Sequence, residues 1–444
     1  MKLWDKGISV DKKIEQFTIG MDRQLDPLLA RFDILGSLAH ITMLESIGLL
    51  EKEELAALRE ELVSLYQEVD TKEDFKIEEG VEDVHSQIEL LLTRSLGDVG
   101  KKIHSGRSRN DQVLVDLKLF FRHEIKEITH KVARLFQSLT ALSEKHKDTL
   151  MPGYTHLQVA MPSSFGLWFG AYAEGLSDDL HLLLAAWKVA NQNPLGSAAG
   201  YGSSFPLDRT MTTKLLGFED LSYNVVYAQM GRGKTEKTLA FAMSSIAATL
   251  GKFAMDICLY MGQNFGFIRF PKELTTGSSI MPHKNNPDVF ELMRGKCNRL
   301  QALPNTIGSV LTNLPAGYHR DLQLLKEDLF PAIDDLKNCL DIFDYAINTV
   351  EINNDILHAD IYNYLFSVEE VNREVLNGVP FRDAYKKIGE NIQSGNFTPN
   401  KTVRHTHEGS IGNLCNDKIK AKFEKVVKEM GFDKVKHALK GLVE

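Results

Sequence analysis

Apolar residues recur at intervals of three and four over three long stretches of this chain. The first runs Leu114, Leu117, Phe121, Ile125, Ile128, Val132, Leu135, Leu139, Leu142. The second runs Leu239, Met243, Ile246, Leu250, Phe253, Ile257, Tyr260. The third runs Leu322, Leu325, Leu329, Ile333, Leu336, Leu340, Phe343, Ile347. On a helix such spacing places each set on one stripe, and long seams of this kind bury themselves against other helices. The first helix is expected to be roughly 40 Å long at ~1.5 Å per residue. No run alternates convincingly with period two. The expected fold is therefore all-α, with three helical domains and a central long-helix bundle. Between Leu239 and Leu250 the second helix has few charges on any side. A helix apolar all round is buried all round. That is easier where several subunits share a core, so an oligomer is expected.

Helices look shorter before Leu114, with breaks around 70–74 and 97–100. They shorten again after about residue 355, with turns at 378–380 and 395–400. The expected division is an N-terminal helical domain over 1–107, a central bundle over 108–355 and a small C-terminal helical domain over 356–444. Two or three domains suit 444 residues. A net charge of -8 argues against a nucleic-acid or anionic-membrane surface. Cys258, Cys297, Cys339 and Cys415 are widely scattered, which fits a reducing cytoplasm rather than a disulfide framework or zinc site. Residues 1–10 alternate charges without an apolar core, so no signal peptide is expected. The least polar stretch, 239–251, is too short to span a bilayer.

Five polar segments are candidates for chemistry. Gly277-Ser-Ser-Ile-Met-Pro-His-Lys-Asn-Asn-Pro-Asp288 combines a glycine hinge, adjacent hydroxyls and a lysine. Asn286-Pro287-Asp288 reads as a helix start, with Asn286 as N-cap and proline at the first helical position. Ser278 and Lys284 then sit on a loop before an anion-favouring helix end. Ser105-Gly-Arg-Ser-Arg-Asn-Asp-Gln112 places Ser108, Arg109 and Asn110 at another helix start, where Arg109 offers a planar fork for a carboxylate. Met151-Pro-Gly-Tyr-Thr-His-Leu-Gln158 sets Thr155 and His156 between a Pro-Gly turn and an apolar helix. In Val81-Glu-Asp-Val-His85 the histidine lies beside a helical face of Val81, Val84, Ile88 and Leu91. In the segment from Tyr318 to Lys326, Gln323 and Lys326 lie about one helical turn apart and can face one ligand. Taken singly, each segment also has an ordinary structural reading: a surface turn, a capped helix, a packed histidine or a solvated helix start. His405, His407 and Glu408 lack a third strong ligand nearby, so no metal is expected.

Together these segments resemble the argininosuccinate lyase branch of the fumarase/aspartase superfamily. The 277–288 loop meets every fixed position of the superfamily signature GSSxMPxKxNP. GRSRNDQ, GYTHLQ, the Glu-Asp-x-His of 82–85 and the Tyr318, Gln323, Lys326 set follow the branch's motifs in family order. The resemblance runs from Gly36-Ser-Leu-Ala-His40 through Lys326 and is weakest after residue 350. It implies a fumarase/aspartase-like fold and cleavage of argininosuccinate to arginine and fumarate by base-catalysed β-elimination, without a cofactor. It also implies a homotetramer whose sites combine residues of different subunits. The implied roles are Ser278 as base, His156 as acid or proton relay, Lys284 and Asn110 as stabilisers of developing charge, and His85 as orienter of substrate or support of that relay. Tyr318, Gln323 and Lys326 would hold the arginine half, Lys326 meeting its carboxylate, while Ser108, Arg109, Thr155 and Asn286 complete the substrate contacts. His283 and Asn285 stand where the branch usually has glutamine and a second lysine. Gln229–Lys234 replaces a Ser- and Asp-rich stretch around one arginine, with Arg232 in that arginine's place. The 194–206 segment resembles the family's glycine-rich loop loosely. The competing readings are another fumarate-releasing lyase (adenylosuccinate lyase, aspartase or fumarase) and a non-catalytic, crystallin-like protein.

Overall fold

The computed structural model describes residues 11–71 and 75–444. The reading of residues 1–10, and most of the break expected at 70–74, fall outside the described residues. The N-terminal part contains α1 (Ala30–Ser46), α2 (Lys52–Thr71) and α3 (Val84–Leu96). The bundle is built from α4 (Arg109–Lys145), α5 (Phe165–Ala190), α6 (Lys234–Met261), α7 (Asp288–Val310) and α8 (Leu325–Ile347). A hairpin of β1 (Leu150–Thr155) and β2 (Gln158–Ser164) links α4 to α5. Two further helices, α9 (Asn416–Met430) and α10 (Phe432–Val443), lead back onto the bundle.

The three apolar stripes are the inner faces of α4, α6 and α8, with Leu322 on the 320–324 turn just ahead of α8. Every member is buried except Tyr260, which is half-buried. At 37 residues, α4 reaches roughly 55 Å at ~1.5 Å per residue, longer than its apolar seam suggested. It starts sharply because the Ser108 hydroxyl accepts from Asn110 N, while the Asp111 carboxylate accepts from Ser108 N at 2.9 Å. That reciprocal box satisfies N–H groups that a helix start otherwise leaves unbonded. Inside the bundle, aromatic rings join helix to helix. Tyr172 of α5 stacks on Phe253 of α6 at 4.1 Å, and Phe253 stacks on Phe343 of α8 at 4.8 Å. Phe343 meets Phe290 of α7 edge-on at 5.9 Å. Offset and edge-on ring pairs add about 0.5–1.5 kcal/mol each beyond area burial. One large core runs from Leu29 to Leu442 and unites the N-terminal helices, the bundle, α9 and α10. A small separate core holds Val371, Ala384 and Ile388.

The all-α expectation holds, with one addition that periodicity did not show. The hairpin has strands interrupted by Pro152, Gly153 and Pro162, and its pairing slips between Pro152 and Tyr154. Those residues mask the alternation, so the Pro-Gly pair expected to turn the chain instead lies inside a strand. The remaining strands among the described residues are two residues long. The other difference concerns α6. Its outer face leaves Phe241 52% and Met255 45% exposed, so within one chain it is not buried all round. By length and composition, Asp22–Ser46 and Lys234–Met261 are each apolar enough to cross a membrane. The second is 28 residues long, so the 13-residue count of 239–251 understated the element. Both pack within the fold, with 78% and 56% of their most apolar windows buried.

Leu336 is fully buried on the α8 stripe. Leu336→Ala is expected to lower unfolding free energy by about 2–5 kcal/mol. Urea denaturation curves check this; an unchanged midpoint would contradict the placement of α8 in the core.

Candidate active site

A cleft of about 160 Å³ opens where the 22–26 turn, the starts of α3 and α4, and the 320–324 turn meet. His85, Arg109, Asn110, Tyr318, Gln323 and Lys326 all line it. Half of the residues singled out in the sequence therefore converge, although more than 200 positions separate His85 from Tyr318. The α4 capping box delivers Asn110 to the cleft wall. Asp111 also accepts from Gly196 N and Ala198 N, both at 2.9 Å, which ties the 194–206 loop to the same helix start. Burial pushes its carboxyl up to about 6 despite these donors.

Behind His85 lies a buried polar network. Its Nδ1 is hydrogen-bonded to Asp33 of α1 and lies 3.4 Å from Asp116 of α4. Gln112 donates to Asp33 at 2.8 Å, and Ser37 bridges Asp33 to Arg107. Burial disfavours charge on all three members. The adjacent carboxylate nevertheless holds the His85 imidazolium above its ordinary pKa, and His85 holds Asp33 below. Burial and the charge on Asp33 push Asp116 well up. Charge is thus favoured on the Asp33–His85 pair and disfavoured on Asp116. Ligand-type atoms of these residues lie within 4.8 Å of one another, and here His85 bonds to Asp33. His405 is likewise paired, with Glu369 at 3.0 Å.

The cations of the cleft are held by acids. Arg109 donates to Asp83 at 2.6 Å and to Glu82 at 3.1 Å, so its fork faces protein carboxylates. Lys326, buried, sits between Asp22 at 2.7 Å and Asp26. Burial opposes its charge, but the two aspartates hold its ammonium above the ordinary value. Burial raises Asp22 to about 6. Gln323 lies on the 320–324 turn ahead of α8 rather than on the helix, and its amide donates to the Thr18 and Ile19 carbonyls. Arg232 also reaches the cleft. Glu236 and the Leu322 carbonyl bind it, and its Nη1 has no partner. Asp22 and Asp26 were not singled out in the sequence, and Glu82 and Arg320 entered only as members of the 82–85 and 318–326 segments. The i, i+4 pair Asp22/Asp26 ahead of an apolar helix reads as ordinary helix-start charge until the fold sets Lys326 against it.

The other candidates stand elsewhere. Thr155 and His156 are exposed at the hairpin tip, where His156 and Leu157 form a two-residue turn with φ of 53° and 58°. Two successive left-handed residues define a primed turn, usually built with Asn or Gly. A histidine and a leucine held there are strained, a feature that gathers at functional sites. Ser278 and Lys284 lie on an open loop pinned by backbone pairing of Thr276 with Asn286. The Ser278 hydroxyl accepts from Met281 N at 3.1 Å. Asn286 turns back to Thr276 and Gly277, and Pro287 occupies the cap position, so α7 starts one residue later than the sequence suggested and without a side-chain cap. Neither the tip nor the loop lines the cleft.

Asp22 sets a pH dependence whose direction is fixed. Its carboxyl is raised from 3.8 to about 6, so between these values the folded protein keeps a proton that the unfolded chain has lost. That contribution is complete below 3.8 and is lost as pH rises through about 6. Asp22→Asn should flatten this part of the stability profile. Denaturation midpoints taken across pH 4 to 7 check it; an unchanged slope would locate the proton elsewhere.

A model of the lyase family matches residues 6–302. The argininosuccinate lyase of Bacteroides thetaiotaomicron is 62% identical over 442 residues, covering 100% of this chain and 99% of that protein. That of Thermotoga neapolitana is 41% identical over 389 residues, covering 88% of this chain and 98% of that one. Among solved structures, EDDS lyase in complex with formate has a TM-score of 0.74 at 21% identity, covering 98% of this chain and 94% of its own. Class II fumarase from Schistosoma mansoni has a TM-score of 0.71 at 16% identity, covering 95% and 96%. At those identities the likeness is one of fold. The whole-length matches go further, and with the clustered motif residues they place this chain in the argininosuccinate lyase family.

Proposed function

We propose that this protein cleaves argininosuccinate into arginine and fumarate by β-elimination. The observation that carries the reading is the whole-length, 62% identity to a curated argininosuccinate lyase. The cleft adds an independent chemical fit, because it presents both cationic and anionic groups to a substrate that carries both. The reaction removes a C–H proton next to a succinyl carboxylate. The electron pair forms the fumarate double bond, the C–N bond breaks, and the guanidino nitrogen takes up a proton. No step transfers a hydride or a group to a carrier, so the chemistry calls for no cofactor.

We assign Ser278 as the base and His156 as the acid. Lys284, Asn110 and the uncapped start of α7 face the charge that builds on the carboxylate, usually the largest catalytic term. His85, whose charged form Asp33 favours, orients substrate in the cleft. Tyr318, Gln323 and Lys326 receive the arginine half, with Ser108, Arg109, Thr155 and Asn286 as further contacts. Asp22 and Asp26 join this set as partners for the arginine's cationic groups. Ser278 deprotonates carbon only in a dry, positive pocket, so the 277–286 loop must close over the substrate.

We further propose a homotetramer with sites shared between subunits. Three motif clusters lie on separate elements of one chain, and the apolar outer face of α6 supplies a surface for assembly. The partition into 1–107, 108–355 and 356–444 is proposed alongside, with α4 opening the central part and α9 and α10 returning to the bundle. The four free thiols suit a reducing compartment, and we place the enzyme in the cytoplasm.

Fumarate release from argininosuccinate, with adenylosuccinate, aspartate and malate alongside, tests the function. Argininosuccinate is expected to be the substrate turned over; release from another panel member instead would replace the assignment. Ser278→Ala should retain substrate binding and lose at least ~10²-fold in turnover; near-normal turnover removes Ser278 from the mechanism. Mixed oligomers of Ser278→Ala and His156→Asn chains should regain activity. Absence of regain, with subunit exchange demonstrated, would assign each site to a single chain.

A further inference from the structure

Farther along α4 a second cavity, of about 300 Å³, lies between α1, α2, α4, α5 and α10. Its composition is unusual. Arg31, Arg122, Lys126, Lys436 and Lys440 contribute cationic groups, and among the described residues that line it none is acidic. The remaining wall is apolar and aromatic, including Phe32, Trp187 and Phe432. Trp187 and Phe432 meet edge-on at 4.9 Å. The nearest paired acids sit outside the lining: Asp70 at 3.5 Å from Arg31, Glu127 at 4.0 Å from Lys126 and Glu444 at 2.9 Å from Lys440.

Arg122 is the telling member. It is 2% exposed, and among the described residues no carboxylate pairs with it. Its Nη groups donate to the Asn191 side chain and the Leu216 carbonyl, and its guanidinium lies 4.1 Å over the Phe218 ring. Its Nε has no acceptor. A buried guanidinium that keeps one donor without an acceptor is costly, and it adds positive charge beside the cavity wall. Burial lowers the Arg122 pKa to about 9, which leaves it protonated at neutral pH. Burial and then Arg31 push His123, also on the wall, down to about 4. At ~30 Å³ per liquid-packed heavy atom, as for water, the space suits about ten heavy atoms.

We propose that this cavity is a binding site for a small amphipathic monocarboxylate, with an aromatic or branched aliphatic body. The body seats on Phe32, Trp187 and Phe432, and the carboxylate faces Arg31, Lys126 and Lys436, with the charge of Arg122 behind the wall. This site is distinct from the cleft, with which it shares no lining residue.

Calorimetric titration of the intact, full-length assembly tests the proposal, with phenylacetate, hydrocinnamate and isocaproate as probes. Phenylacetamide and inorganic phosphate separate charge from shape. At least one carboxylate should saturate at one per chain. Phenylacetamide and phosphate should each bind at least about tenfold more weakly, a difference of ~1.4 kcal/mol. Lys126→Glu/Lys436→Glu reverses two charges at the rim, where Lys126 is half-buried and Lys436 exposed. It should weaken carboxylate binding at least about tenfold, with fumarate release in the absence of probe unchanged. Failure of all three carboxylates to saturate overturns the proposal. So does equal binding of the amide or of phosphate, wild-type binding by the charge-reversed variant, or displacement of the probe by argininosuccinate.

Discussion

The cleft depends on one buried charge pair. Asp33 on α1 and His85 on α3 meet inside the fold, and Gln112 and Asp116 on α4 close around them. Removing two charges from water costs on the order of several kcal/mol per ion, and only good geometry with further hydrogen bonds offsets it. Here the geometry draws on three helices at once, so their relative register is set by the condition that these groups meet. Burial and the neighbouring Asp33 charge disfavour ionisation of Asp116, which works against a second uncompensated charge. With the three helices so fixed, His85, Arg109 and Asn110 face one space.

The rest of the cleft is built by opposed charges. Glu82 takes Arg109 and Arg320 together, and Lys326 stands between Asp22 and Asp26. A substrate with carboxylates, an ammonium and a guanidinium can exchange partners with such a set, replacing protein ion pairs by protein–ligand ones. The hairpin tip and the 277–286 loop are of a different kind. They are exposed, and the tip is strained. Groups of this sort gain their function from a surface brought to them, which is the physical content of the proposed sharing between subunits. The uncovered apolar face of α6 points the same way, since in a long bundle helix such a face is normally packed against another helix.

The helical plan was legible because burial along a helix repeats at 3.6 residues. Leu114 to Leu142, Leu239 to Ile257 and Leu325 to Ile347 became the inner faces of α4, α6 and α8. The hairpin was not legible, because Pro152, Gly153 and Pro162 interrupt its alternation and its turn lacks the usual glycine. The reading of 286–288 as a helix start survived with a shift of one residue, since Asn286 spends its amide on Thr276 and Gly277. In the cleft, the motif residues were recognisable as types at helix starts and turns. Their partners were not: nothing local distinguishes Asp22, Asp26 or Asp33 from the other acids of the N-terminal helices.

The sequence by itself determined the periodic elements, the polar segments that interrupt them and the family to which those segments belong. These are local properties, written in spacing and in the order of residue types. Tertiary structure alone decided which charges pair. Lys326 finds Asp26 across 300 positions, and His85 finds Asp33 across 52. An ion pair is set by distance in space and by exclusion of water, neither of which is encoded at any single position along the chain.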